Sequence, residues 1–394
     1  MGRWPHLRQH RRPQRGRARE HHRTHHHQKG TPVGQPLNVG IIGCGKIIAQ
    51  YLETFARLDD VRLVAVADLD ESRAREVADS VPGTLALSVD GLLAAEDIDV
   101  VVNLTVPAAH AAVSLRIIAA GKSVYVEKPL AATTAEAREV LDAATSARKI
   151  VGCAPDTVLG TGIQTARRAI DDGLIGAPVS ATATMVTPGH ERWHPNPDFY
   201  YLPGGGPLLD MGPYYVTALV TLLGPIARVM GAASATRSTR TIQSGPREGE
   251  VIPVSTPTHV TGILVHESGV ISTLVTSFDA TATTAANIEV HGQTGTLGVP
   301  DPNHFSGDVR LWALGDDQWR TLPVSAGYSQ AARGYGITDM LRSGDGLVES
   351  RASGELAFHV LDVMESLLRS AEAFESVVIG STVQRPEAVP LSGD

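Results

Sequence analysis

One stretch decides the fold of this chain: residues 121–129, which read GKSVYVEKP. Gly121 predicts the end of a helix, and the β-branched and aromatic residues at 123–126 predict a short strand. Lys128 is therefore expected at the carboxyl end of a strand, the edge at which parallel α/β sheets bind their ligands. Lys128 is either a functional group at that edge or one more solvated surface charge. The rest of the sequence has to distinguish the two.

A glycine-rich turn, GCGKII at residues 43–48, lies upstream between an apolar run at residues 37–42 and a helical pattern. Gly43 permits a tight turn, Gly45 lets the backbone approach a pyrophosphate, and the helix amino terminus supplies N–H donors. Ile48 replaces the third glycine of the G-x-G-x-x-G fingerprint, at a position that serves helix–strand packing. The sequence predicts a dinucleotide site that includes Gly43, Gly45, Lys46 and Ile47.

The next predicted strand, residues 61–67, ends at Asp68, 23 residues after Gly45. An acid at that position can accept hydrogen bonds from the adenosine ribose hydroxyls and would repel a 2′-phosphate. We therefore expect NAD rather than NADP. Arg73 and Arg75 lie nearby and would either face a 2′-phosphate or be solvated helix charges.

Two patterns of secondary structure divide the chain. Strands and helices alternate from residue 37 to residue 153, which predicts a doubly wound parallel sheet. After residue 225 the chain becomes rich in strands, with hairpin turns predicted at residues 267–269 and 292–295. We predict a dinucleotide-binding Rossmann domain at residues 37–154. A substrate-binding and oligomerisation α+β domain, with a large and mostly antiparallel open sheet, is predicted at residues 155–394.

The amino-terminal segment differs from the rest in charge. The first 35 residues contain nine Lys and Arg and one acid, which leaves 25 basic and 41 acidic residues, a net charge of −16, for the remainder. Residues 1–36 have too few apolar side chains to fold, and we expect a disordered basic tail or a start codon assigned too early. A nucleic-acid arm and a metal-binding histidine tract are the alternatives for this segment.

The composition of the chain after this basic segment argues against several classes of protein. Its acidic balance argues against a nucleic-acid surface, and no apolar run is long enough to span a bilayer. Cys44 and Cys153 are the two cysteines, so neither a disulfide framework nor a cysteine metal site is expected. We expect a cytoplasmic protein with no metal, no membrane partner and no nucleic-acid partner.

A loop at residues 189–201 is dense in aromatic and polar side chains, although only 5% of the chain is aromatic. Aromatic faces with short polar groups are suited to carbohydrate, which they bind by stacking and by hydrogen bonds to hydroxyls. The alternative is an irregular loop fixed by its own aromatic rings. On the first interpretation the substrate contacts are Trp193, His194, Tyr200 and Tyr201.

Asp210 and Tyr214 lie four residues apart in the segment GGGPLLDMGPYY, residues 204–215. They share a helix face if the helix already includes Asp210. If Pro213 is the first helical residue, Asp210 lies just ahead of the amino terminus. Either geometry keeps the two groups close. A phenol, whose ordinary pKa is about 10, needs a neighbouring cation to act as a base.

Together these motifs resemble the Gfo/Idh/MocA family of nicotinamide-dependent oxidoreductases, which includes glucose-fructose oxidoreductase and inositol dehydrogenase. The run Ala-Gly-x5-Glu-Lys-Pro at residues 120–129 is similar to the signature that carries the family's catalytic lysine. The Asp210 segment resembles the motif Asp-x-Gly-x-His, with Tyr214 in the histidine's place, as in the glucose-fructose oxidoreductase branch. Thr105, Pro107 and His110 match a loop, Thr-x-Pro-x-x-His, that lies along the cofactor in the family.

The resemblance implies hydride transfer between a nicotinamide cofactor and a secondary alcohol of a sugar, glycoside or cyclitol. It implies catalytic roles for Lys128, Asp210 and Tyr214, with Glu127 and His110 on the cofactor side. Whether Lys128 or Tyr214 takes the proton stays open.

The resemblance also implies a homodimer or homotetramer formed through the antiparallel sheet. The alternative within the family is a glycoside-cleaving enzyme that uses tightly bound NAD in a closed redox cycle. A nucleotide-sensing regulator would not need the three catalytic residues together.

Overall fold

A computed structural model describes residues 36–343 and 350–391 of the chain. The predicted basic tail, residues 1–36, lies outside the described residues except for its last position. Among the helices of the described part, none combines the length and the apolar character that crossing a bilayer requires.

The described residues contain a six-stranded sheet in the order β3-β2-β1-β4-β5-β6, and every pair in it is parallel. Its buried strands are rich in Val and Ile because helices cover both faces. This confirms the predicted doubly wound sheet. The strands are β1 (Leu37–Ile42), β2 (Val61–Ala67), β3 (Leu85–Ala86), β4 (Val100–Asn103), β5 (Ser123–Val126) and β6 (Val151–Cys153).

Three of the helices that accompany this sheet begin at a residue whose side chain caps them. Asp70 accepts a hydrogen bond from the backbone N–H of Ser72, and Thr133 and Glu136 form a capping box. The helices are α1 (Ile48–Phe55), α2 (Glu71–Ser80), α3 (Val89–Ala94), α4 (His110–Ala119) and α5 (Thr134–Ala147). Helix α3 has no predicted counterpart, because six residues contain less than two turns of periodicity.

A second sheet of the described residues has nine strands in the order β16-β15-β14-β13-β7-β12-β11-β8-β17. The predicted hairpins are present as the antiparallel pairs β11–β12 and β13–β14, whereas β7 and β12 pair in parallel. The strands are β7 (Pro178–Val186), β8 (Ile226–Ser234), β11 (His259–His266), β12 (Ile271–Ser277), β13 (Ile288–Gly292), β14 (Gly295–Val299), β15 (Arg310–Ala313), β16 (Arg320–Thr321) and β17 (Val377–Val378); β9 (Thr239–Thr241) and β10 (Val251–Pro253) form a separate ribbon.

Helices cover one face of this second sheet. Burial alternates along β11, because one face packs against helices and the other does not. The opposite face exposes apolar side chains, among them Met230, Ile263 and Ile271. The helices that follow residue 155 are α6 (Thr161–Asp171), α7 (Gly206–Leu223), α8 (Gly336–Ser343) and α9 (Gly354–Ala373), of which α8 packs against β6 of the first sheet.

Candidate active site

A cavity of about 860 Å³ lies where the carboxyl edge of the six-stranded sheet meets the first turns of α7. The six-stranded sheet and its loops contribute Ile47, Thr105, Pro107, His110, Glu127 and Lys128. The rest of the chain contributes, among others, His190, Trp193, Tyr200, Asp210, Tyr214 and Arg333. Most of the residues predicted for the cofactor and the chemistry therefore share one cavity. Within the described ranges, no group of His, Cys, Asp and Glu is arranged to hold a metal ion.

The glycine turn after β1 has the geometry that a dinucleotide requires. Gly43 has φ +106°, and a Cβ there would lie 2.6 Å from the carbonyl carbon of Leu104, so only glycine fits. A Cβ on Gly45 would meet no atom within 4 Å, which leaves the space before the helix open to a pyrophosphate. Ile48 is buried in the core, as the packing role of the third fingerprint position predicts. Lys46 is exposed at the same turn.

Asp68 is fixed beside this turn. Its carboxylate accepts hydrogen bonds from the backbone N–H of Cys44 at 2.7 Å and of Asp70 at 2.8 Å. Arg73 lies 3.4 Å from Asp70, and Arg75 lies 2.6 Å from a glutamate one turn earlier. Both guanidinium groups are therefore placed as paired helix charges.

His110 ties together two loops at the edge of the sheet. Its Nδ1 lies 2.6 Å from the carbonyl oxygen of Pro129, and its Nε2 lies 3.0 Å from that of Thr105. The side chain is buried, and burial lowers its pKa. The two carbonyls oppose this shift because they favour the protonated ring. A neutral imidazole has one N–H and can donate to only one of them, and the ring lies against the loop that includes Pro107.

Lys128 and Asp210 form the centre of the site. Helix α7 includes Asp210, so the first of the two predicted geometries is the one observed. Lys128 Nζ donates to the backbone carbonyl of Asp210 at 2.7 Å and to its Oδ1 at 2.9 Å. Burial lowers the pKa of Lys128, but the Asp210 carboxylate outweighs it and the net shift is upward. Burial also raises the pKa of Asp210, yet Lys128 and His190 bring it well below its usual range.

His190 is a member of the site that sequence reasoning did not assign. It follows β7, and its Nε2 lies 3.1 Å from Oδ2 of Asp210. Its Nδ1 is buried and has no hydrogen-bond partner among the described residues. The carboxylate therefore favours the tautomer with the proton on Nε2, which donates to Asp210. The available signal was its position at the end of a predicted strand.

Tyr214 is buried beside two cations. Lys128 Nζ lies 5.4 Å from the centroid of its ring, and the guanidinium carbon of Arg333 lies at the same distance. Burial raises the pKa of Tyr214, and Lys128 and Arg333 oppose that shift without cancelling it. The phenol is therefore neutral near neutral pH. Sequence reasoning missed Arg333, which lies in no recognisable motif.

Glu127 supports Lys128 from the neighbouring position. Its Oε2 accepts a hydrogen bond from the backbone N–H of Lys128 at 3.0 Å. Its Oε1 accepts one from the hydroxyl of Tyr51, at 2.9 Å, and Tyr51 lies in the helix that follows the glycine turn. Glu127 therefore connects the backbone of the lysine to the dinucleotide turn.

Two of the four predicted aromatic-loop residues line the cavity. Trp193 is 58% exposed, and the ring of Tyr200 lies 4.5 Å, centroid to centroid, from that of His190. Both rings are available to a ligand in the cavity.

The other two predicted contacts differ from expectation. Tyr201 is fully buried and donates its hydroxyl proton to Glu191, so it supports the loop from below and does not line the cavity. His194 packs edge-on against Phe199 and Tyr200, also outside the cavity lining. The loop contains two single turns of 3₁₀ helix, which send successive side chains in different directions.

A Rossmann sheet with an open glycine turn, facing a lysine–carboxylate pair, defines the class of nicotinamide-dependent oxidoreductases. Residues 37–154 match the family described as "Oxidoreductase family, NAD-binding Rossmann fold", and residues 163–298 match the "GFO/IDH/MocA C-terminal domain". The two ranges together make up more than half of the chain. The chain belongs to the Gfo/Idh/MocA family, and its first sheet is an NAD-binding Rossmann fold.

Curated relatives match part of the chain. A dTDP-3,4-didehydro-2,6-dideoxy-alpha-D-glucose 3-reductase of Streptomyces violaceoruber is 30% identical over 207 residues, which are 51% of this chain and 59% of the relative. An inositol 2-dehydrogenase of Burkholderia multivorans is 33% identical over 147 residues, 36% of this chain and 44% of the relative. The match thus spans only about half the length of each of these relatives.

Solved structures share the fold over most of the chain. An NAD-binding oxidoreductase from Klebsiella pneumoniae superposes with a TM-score of 0.76 at 23% identity, over 87% of this chain and 99% of the other. A levoglucosan dehydrogenase in complex with NADH superposes with a TM-score of 0.73 at 21% identity, over 88% of this chain and 100% of the other. The two-sheet architecture described above is therefore that of these proteins.

Proposed function

We propose that this protein transfers a hydride between NAD and a secondary alcohol of a sugar, glycoside or cyclitol. The observation that carries the proposal is the contact between Lys128 and Asp210, in one cavity with Tyr214 and beside the open turn at Gly45. The curated relatives, named as a sugar reductase and inositol dehydrogenases, support the substrate class. We further propose residues 37–154 as the cofactor-binding domain and 155–394 as the substrate-binding and oligomerisation domain.

The pKa shifts of Lys128 and Tyr214 support a separate role for each residue. Bound NAD would supply the hydride acceptor. Because Asp210 keeps Lys128 protonated, its ammonium cannot act as a base and instead donates a hydrogen bond to the substrate oxygen. Tyr214 is then the group that exchanges a proton with that oxygen. The neutral phenol is ready to donate a proton in the reductive direction, and it must first ionise in the oxidative direction.

The closed redox cycle on a glycoside is not favoured. The matched curated relatives are named for net oxidation or reduction, and three of the matched structures are of an enzyme named levoglucosan dehydrogenase. A closed cycle also requires that no reduced nicotinamide leaves the enzyme, which the assay below measures.

The test is the near-ultraviolet absorbance of reduced nicotinamide, recorded with purified protein, NAD and a panel of inositols, aldoses and glycosides. We expect an increase with one substrate class. The assay is repeated as glycoside cleavage without added cofactor. Cleavage without any accumulation of reduced nicotinamide would replace the proposal with the closed cycle.

Asp68 is expected to set the preference for NAD over NADP. Replacing Asp68 by Ala removes the charge that would repel a 2′-phosphate, so the ratio of kcat/KM for NADP to that for NAD should rise about tenfold or more. Asp79→Ala, which removes an exposed acid from the other end of α2, is the control. An unchanged ratio in Asp68→Ala would contradict the assignment.

We also propose that the exposed face of the nine-stranded sheet associates two or four copies of this chain. Met230, Ile263 and Ile271 expose apolar surface there, which monomers usually avoid. Sedimentation equilibrium of the wild type and of Ile263→Lys checks this, and a wild-type monomer would contradict it.

A further inference from the structure

Arg333 is a charged group that the proposed chemistry does not yet use. Its Nη1 donates to the phenolic oxygen of Tyr214 at 3.1 Å, and its Nη2 donates to Oδ1 of Asn303 at 2.8 Å. Its guanidinium has no carboxylate within ion-pair distance among the described residues, so its nearest described polar partners are a phenol and an amide. The guanidinium is half-buried, and the carboxylates of Glu127 and Asp156 act on it from beyond ion-pair distance.

The backbone beside Arg333 is anchored to the first sheet. The buried carboxylate of Asp156, just after β6, accepts hydrogen bonds from the N–H of Gly334 at 2.8 Å and of Gly336 at 3.0 Å. Gly334 has φ +93°, and a Cβ there would lie 2.6 Å from the ring of Tyr51. The chain is thus held against the Rossmann sheet at the residue next to Arg333, while the side chain reaches α7.

The direction of these hydrogen bonds constrains the phenol of Tyr214. A guanidinium has donors and no acceptor, so the phenolic hydrogen cannot point at Arg333. The ammonium of Lys128 likewise cannot accept it. The carboxylate of Asp210 already accepts from Lys128 and His190. Among the described residues the phenol of Tyr214 donates no hydrogen bond, and Tyr214 lines the open cavity, so we place the phenolic hydrogen on the cavity side.

We propose that Arg333 is a positioning residue for Tyr214: its guanidinium holds the phenolic oxygen, turns the phenolic hydrogen toward the substrate oxygen, and stabilises the phenolate left after proton transfer. The inference rests on the proposed function. In the reductive direction, reduced nicotinamide would supply the hydride, so a C–H bond of the cofactor breaks as the new C–H bond forms at the carbonyl carbon. The π electron pair moves to oxygen and takes the proton of Tyr214, which leaves alcohol, oxidised nicotinamide and phenolate.

Other charged and titratable groups also face Tyr214, and the test has to separate Arg333 from them. They are Lys128, Glu127, Asp210 and Tyr200. Burial raises the pKa of Tyr214, and the nearby cations Lys128 and Arg333 lower it. Substituting Arg333 alone leaves the remaining groups in place.

The experiment is a ¹⁹F NMR titration of protein labelled with 3-fluorotyrosine, whose phenol ionises at lower pH than tyrosine. The resonance of residue 214 is assigned by its loss in Tyr214→Phe. In Arg333→Met we expect the titration midpoint to rise by about one pH unit or more, because a cation next to the oxygen is lost. Arg333→Lys should restore most of the difference. Arg168→Met, an exposed arginine on α6, is the matched control and should not shift it.

An unchanged midpoint in Arg333→Met would overturn the inference, and so would an equal rise in Arg333→Lys, since a merely structural role would not depend on charge. If Arg333→Met does not fold, the titration midpoints of Arg333→Gln and Arg333→Lys are compared instead, and the same difference is expected. The titration contains neither substrate nor cofactor. Failure of the proposed function would therefore leave its result intact, and an unshifted midpoint in an active dehydrogenase would remove only the role of Arg333.

Discussion

Lys128→Met is expected to lower kcat by about 10³-fold or more and to change the Kd for NAD by less than about twofold. In the proposed mechanism the ammonium donates a hydrogen bond to the substrate oxygen as the charge on that oxygen changes. Asp210 holds it in position through two hydrogen bonds, of 2.7 and 2.9 Å. Methionine keeps much of the length of the side chain and removes the charge. The loss should therefore fall on turnover, since the glycine turn that approaches the pyrophosphate is unchanged.

The measurement pairs steady-state kinetics with NAD binding followed by fluorescence. Lys149→Met, at the end of α5 and outside the cavity lining, is the control and should keep full activity. The variant also leaves the partly buried carboxylate of Asp210 without its ammonium, so melting temperatures of both variants are needed to exclude unfolding. Wild-type turnover in folded Lys128→Met would refute the central assignment.

Tyr214→Phe is expected to lower kcat by about 10²-fold or more and to change how the rate depends on pH. In the wild type, burial raises the pKa of Tyr214 above its usual value, so the phenol is neutral near neutral pH. Oxidation needs the phenolate. Below the pKa its rate should therefore rise about tenfold for each pH unit. Reduction needs the phenol, so its rate should stay level and fall only as the pH rises through the pKa.

The phenylalanine variant should lose the dependence in both directions, because the titrating group is gone. Rates of oxidation and reduction measured across the same pH range test this. Tyr335→Phe is the matched control, since its ring packs against Tyr328 outside the cavity lining. A pH profile that survives in Tyr214→Phe would assign proton transfer to another group.

The positions of most strands and helices of the six-stranded sheet could be predicted from the sequence. Its strands other than the two-residue β3, and its helices other than α3, follow from local signals: apolar runs, capping residues, and glycines at turns. Gly43, which only glycine can occupy, and Lys128, at the end of β5, were located for the same reason. A parallel sheet brings the carboxyl ends of its strands to one edge, so positions along the chain are enough to place ligand-binding residues there.

The tertiary structure decided which distant groups meet. Lys128 and Asp210 are 82 residues apart, and Tyr214 and Arg333 are 119 apart, so no local pattern relates them. Their contacts depend on how α7 and the segment held by Asp156 pack against the Rossmann sheet. Packing likewise decided which side chains of the aromatic loop are buried, Tyr201 among them.

Protonation states also required the tertiary structure, because a pKa depends on burial and neighbouring charges and not on residue type alone. The sequence left open whether Lys128 or Tyr214 takes the proton. The partly buried pair with Asp210 raises the pKa of Lys128, which supports the proposal that the phenol exchanges the proton. The sequence by itself thus determined the family, the cofactor and the edge of the sheet where the chemistry lies. Folding determined the partners of each group there, because those partners are brought together only by contacts distant in sequence.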